Sequence, residues 1–226
     1  MSNWDRFLDT FFNAKVMAKY LPDIAYGMLV TVELALLVIV SGIVSGLALA
    51  LLRSLGYRPV NLLIVFSVDV FRALPPLVII IVLYFAFPYI GLSMNAFTAT
   101  WLSLSMVLAA FAEEVFWAGI LSVHKGQWDA ALSLGLSHWK TLRDVILPQA
   151  LRLTVPPLTN RVISITKGTA LGSVVALHEI LNVASSGSSE AGNPTPLTLG
   201  AIAYLILFIP FVWFGRRLEK RFAWKR

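Results

Sequence analysis

Glu33, Asp69, Arg72, Glu113, Glu114 and Lys167 stand in stretches otherwise apolar enough to enter a bilayer. Charges there are expensive, so each either pairs with a neighbour or lines a route for a polar solute. Asp69 and Arg72 are three residues apart and can pair along one helix face. Glu113 and Glu114 are adjacent, about 100° apart on a helix, so they address different partners. Their counter-charge is a cation from another helix, such as Arg161 or Lys167, or a cationic group on a solute. Glu33 is either a solvated or helix-paired acid near the headgroups or a pathway residue. Lys167 either snorkels to the interface or helps form an inner gate. Hydrolytic and metal chemistry find little here. His124, His138 and His178 are dispersed without ligand spacing, and there is no cysteine.

The elements holding these charges must be membrane helices. Of 226 residues, 58% are hydrophobic and 13% charged, against about 25% charged in soluble domains. The excess of 18 basic over 12 acidic residues therefore points to membrane-flanking loops rather than nucleic acid. A span needs roughly 20 apolar residues. Candidates are Ile24–Leu52, Leu62–Phe87, Ala96–Leu121, the short and polar Ala170–Ala184, and Leu197–Phe214. The expected fold is all-α and polytopic, with about five spans in a single domain over residues 1–226. Gly42-x-x-x-Gly46 and Gly168-x-x-x-Gly172 suit close helix packing. Pro75-Pro76 interrupts the second span, and Pro156-Pro157 is read as the start of the fourth.

Loop charge orients the spans. Arg53, Arg58, Lys125, Lys140, Arg143, Arg152 and the tail from Arg216 to Arg226 fall on one side. The opposite loops, 88–95 and about 181–196, carry no Lys or Arg. The positive-inside rule puts the N-terminus outside and the C-terminus in the cytoplasm. Residues 1–23 carry Trp4, Phe7, Phe11 and Phe12 among mixed charges and read as an external amphipathic segment.

The segment 123–152 is too patterned for a linker. In GQWDAALSLGLSHWKTLRDVILPQ, Ala130 and Ala131 give a helix a small-residue face, with Asp129 in its first turn and Gly135 at its stop. A second helix, about Trp139–Leu147, places Trp139, Leu142, Val145 and Ile146 near one face and ends at Pro148. Such a hairpin either docks a soluble partner or packs on headgroups.

Asp129-Ala130-Ala131, Gly135 and Ile146-Leu147-Pro148 resemble the EAA signature of ABC-importer permeases, with Asp for Glu and Val145 at the usual Ile offset. Phe71-Arg72-Ala73-Leu74-Pro75-Pro76-Leu77, Ala112–Ile120 and Asn160–Leu171 are similar to further segments of the polar amino-acid branch, the histidine, glutamine, glutamate and arginine permeases. Glu114 stands at the branch's Glu, Glu113 replaces an Ala, and Trp117 replaces an Arg.

The resemblance implies a type I ABC-importer permease fold in the cell inner membrane, without enzymatic activity of its own. Its function would be alternating-access import of amino acids or related small polar solutes. Partners would be a second permease subunit (identical or sister), two ATP-binding subunits and an external substrate-binding protein. No cofactor is implied for this chain; ATP and Mg would be bound by the partner ATPase. Consistently, no Gly-Lys pair exists to build a Walker A loop. Asp129, Ala130, Ala131 and Gly135 would couple to the ATPase, and Glu33, Arg72, Glu113, Glu114 and Lys167 are candidate pathway residues. The rival readings are an intramembrane enzyme and a non-transporting membrane anchor.

Overall fold

The computed structural model describes residues 2–222, which form helices and no strand. In order these are α1 (Asn3–Phe11), α2 (Ala14–Ser54), α3 (Arg58–Ala73), α4 (Pro76–Ile81), α5 (Ala96–Ser122), α6 (Lys125–Ser133), α7 (His138–Thr141), α8 (Leu147–Thr166), α9 (Ile180–Ala191) and α10 (Thr195–Phe222). The tail cations Lys225 and Arg226 lie outside the described residues.

Three helical stretches, Asn3–Ser54, Ala96–Ser122 and Thr195–Phe222, are long and apolar enough to cross a membrane. The pair Arg58–Ala73 and Pro76–Ile90 makes a fourth if counted as one broken span. The break falls where expected: Leu74 is extended (φ −82°, ψ 133°) because Pro75 disfavours the α region before it.

Several expectations change. Residues 14–23 are continuous with the first long helix as part of α2, leaving only α1 as a separate amphipathic helix. The expected span Ala170–Ala184 is two pieces. A 3-10 stretch, Lys167–Val175, ends at Ala176 in the left-handed region (φ 56°), and α9 starts at Ile180. Pro156 and Pro157 do not open a span but lie inside α8. Nor does Pro148 end a helix: α7 runs through a π-helical turn, Leu142–Ile146, directly into α8. A second π turn, Val82–Ala86, similarly ends two residues before Pro88. In both places the wider turn sits where a proline removes a backbone donor and crowds the preceding carbonyls.

The chain divides into two compact units. One holds residues 2–38, Pro76–Leu104 and Thr166–Trp213. Its core packs Tyr20 and Ile24 of α2 against Ile180 and Ala184 of α9 and Leu199 and Ala203 of α10. Polar ties fix its N-terminal end. The Asn13 N–H donates to Thr195 Oγ1 at 3.2 Å, and Lys19 meets Glu190 at 3.0 Å.

The other unit holds Ile39–Pro75, Ser105–Ile165 and residues 214–222. Here the first glycine pair packs α2 onto α5. A Cβ on Gly46 would come 2.7 Å from the Ala109 carbonyl oxygen and 2.9 Å from the Glu113 nitrogen, neither of which can rotate away. Gly46→Val should therefore cost about 1–3 kcal/mol and lower the melting temperature of the purified protein. An unchanged melting temperature would refute this contact.

Candidate functional site

The patterned segment folds as a closed hairpin. His124 caps α6: its Nδ1 accepts the Gly126 N–H at 3.1 Å. Gly135 ends the helix in the left-handed region, φ 79°. The Leu136 N–H donates to the Ala131 carbonyl at 3.2 Å, and the Gly135 N–H to the Leu132 carbonyl at 2.9 Å. That pair of bonds is a Schellman closure, which a glycine adopts without a Cβ penalty. Ser137 caps the second arm by accepting from the Lys140 N–H at 3.4 Å. Trp128 stacks on His138 with centroids 4.9 Å apart, holding the arms together.

This geometry separates the residues expected to act as one face. Ala131 is buried within its own unit, while Asp129 and Ala130 are exposed. Asp129 is the fifth residue of α6, not in its first turn, because the helix starts at Lys125 under the His124 cap. It thus does not neutralise the helix dipole. On the second arm Leu142 and Ile146 are buried with Ile120, Val123 and Ala150, whereas Trp139 is exposed.

The paired acids address separate arginines. Glu113, fully buried, accepts from Arg53 Nη1 at 3.0 Å. Arg53 also lies over the Trp117 ring, 4.6 Å from its centroid. Glu114 is 46% exposed and meets Arg72 Nη2 at 2.9 Å, while Asp69 is the weaker neighbour of Arg72 at 3.9 Å. The cations are therefore Arg53 and Arg72, not Arg161 or Lys167. Arg161 instead lies over the Phe111 ring at 4.4 Å. By sequence Arg53 counts among the loop charges. The signal for it was Trp117, an aromatic where a local cation was expected, facing an extra buried acid.

Glu33 and Lys167 are exposed and stand apart from these pairs. Glu33 lines a cavity of about 540 Å³ with Tyr26, Asn95, Phe97 and His178. Next to it Glu179 is buried but fully satisfied, accepting from the Leu181 and Asn182 N–H groups at 2.9 and 2.7 Å and from Tyr204 Oη at 2.7 Å. In the sequence Glu179 is one of the polar residues that interrupt the short stretch Ala170–Ala184. Among the described residues no group of three His, Asp or Glu side chains is placed to hold a metal ion.

Residues 42–224 match the family of binding-protein-dependent transport system inner membrane components. The chain belongs to this family. The permease is 36% identical over 217 residues to a probable amino-acid ABC transporter permease of Bacillus subtilis, covering 94% of each chain. It is 33% identical over 210 residues to a putative glutamine transport system permease of Rickettsia bellii, covering 91% of this chain and 96% of that one. The crystal structure of an amino acid ABC transporter with histidines superposes with a TM-score of 0.82 at 30% identity, covering 91% of the permease and 96% of the other chain. The permease is thus a multi-pass transport component of the inner membrane with an all-helical ABC-permease fold, and nothing favours an intramembrane enzyme or a passive anchor.

Proposed function

We propose that the permease forms the translocation pathway of an ATP-driven importer for amino acids or related small polar solutes. It works with a second permease subunit, identical or sister, with two ATP-binding subunits that hold ATP and Mg, and with an external substrate-binding protein. The N-terminus lies outside and the C-terminus in the cytoplasm, as loop charge directs. The observation that carries the reading is the outward Asp129–Ala130 face on a hairpin closed at Gly135, in a chain whose relatives are named amino-acid permeases.

Within this scheme α6 is the coupling helix and Ala131 supports it from inside. Glu33 and Lys167, both exposed, are the pathway candidates of one unit, and the half-exposed pair Arg72 and Glu114 those of the other. Glu113 serves structure, since its charge is spent on Arg53. Arg72 likewise supplies a counter-ion for Glu114 within the chain, so no cationic solute is needed for it.

The test is reconstitution in vesicles with an ATP-binding subunit and a substrate-binding protein that co-purify with it. Uptake of labelled amino acids should require ATP and all components, and the permease alone should hydrolyse nothing. ATP-independent uptake, or no uptake of any amino acid by the complete assembly, would overturn the proposal.

A further inference from the structure

Where α5, α8 and α10 come together, the Ile39–Pro75, Ser105–Ile165 and 214–222 unit holds a cavity of about 720 Å³. Its polar lining is Arg152, Arg221, His124, Gln127, Gln149 and Ser122. No acid lines it, and among the described residues neither arginine has an acidic partner. The His124 ring accepts at Nδ1 from Gly126, which leaves its proton on Nε2 as a donor. Two guanidinium groups, an imidazole N–H and the Gln127 amide form a donor-rich cavity suited to a phosphate, while the Gln149 amide donates to the Val145 carbonyl at 2.7 Å and to Gln127 Oε1 at 3.5 Å.

The depth of the cavity narrows the source. It is built from Ser122 at the end of α5, Gln149 and Leu153 in the first turns of α8, and Arg221 in the last turn of α10. α5 and α10 are both long and apolar enough to cross a membrane and both end here, which puts the cavity at headgroup level. Val123, Leu153 and Phe222 supply an apolar wall beside the donors. A soluble anion has no use for that wall; a phospholipid has acyl chains to lay on it.

We infer that this cavity binds the phosphate of an anionic phospholipid of the cytoplasmic leaflet, with Arg152 and Arg221 as its main charges. The assignment of the leaflet rests on the orientation proposed above.

The assembled transporter is purified in mild detergent with equal parts phosphatidylglycerol and phosphatidylcholine, and retained lipid is measured by native mass spectrometry. The wild-type protein should retain phosphatidylglycerol preferentially. The pair R152Q/R221Q should weaken that retention about 30-fold, roughly fivefold for each arginine, and R152K/R221K should keep most of it. Both side chains are exposed, and among the described residues neither meets an acid, so the melting temperature should not move. Unchanged retention in R152Q/R221Q would overturn the inference. So would displacement of the lipid by inorganic phosphate at matched concentration, which would mark a site for soluble anions. ATP-driven uptake in phosphatidylcholine vesicles is followed in parallel. Uptake that persists while lipid preference is absent sinks the lipid site alone, whereas absent wild-type uptake in every lipid sinks the importer reading.

Discussion

An Ala130→Trp permease should fold, insert and fail to import. Ala130 points outward from α6, so the new ring meets nothing in its own chain. If the ATPase seats on this face, the indole overpacks the contact by about 1–3 kcal/mol. That corresponds to roughly 5- to 150-fold weaker association, read as ATPase lost on co-purification and as the matching fall in uptake. Ala131 gives the contrast. It is buried, and Ala131→Leu should lower the melting temperature of the isolated permease before any partner is added. Full ATPase recovery and full uptake by Ala130→Trp would remove the coupling assignment.

Arg53→Met should be the most damaging change within the membrane-embedded part. It leaves the Glu113 carboxylate buried without its cation, and Glu113 Oε2 already has no partner. Breaking a buried pair from one side costs about 3–5 kcal/mol, whereas replacing both members with apolar residues is often neutral. Arg53→Met should therefore fall sharply in thermal stability, and Arg53→Met/Glu113→Met should recover most of the loss. If the double variant is no better than the single one, the damage comes from the lost stacking of Arg53 on Trp117 rather than from the stranded charge.

Much of this architecture was legible because lipid-facing helices need long apolar runs, and α2, α5 and α10 show them plainly. The hairpin was legible at Gly135, where backbone geometry demands glycine. It was not legible at Asp129, because nothing in a single sequence marks His124 as the cap that starts α6 four residues earlier. Prolines misled twice. Pro148 and the Pro156-Pro157 pair read as boundaries, yet α8 carries all of them, since a π turn and packing absorb the missing donors. The ion pairs were half legible. The acids announced a need for cations, but Arg53 lies 60 residues from Glu113, and only tertiary packing reveals which arginine arrives.

The join between α7 and α8 has a mechanical meaning. From His138 to Ile165 the backbone is one uninterrupted helical run within a single compact unit, roughly 42 Å at 1.5 Å per residue. Such a rod has no slack to take up a push at its end. With Trp128 stacked on His138 at its tip, and in the coupling scheme proposed above, a displacement of the short stub α6 would be handed directly to this run of helix.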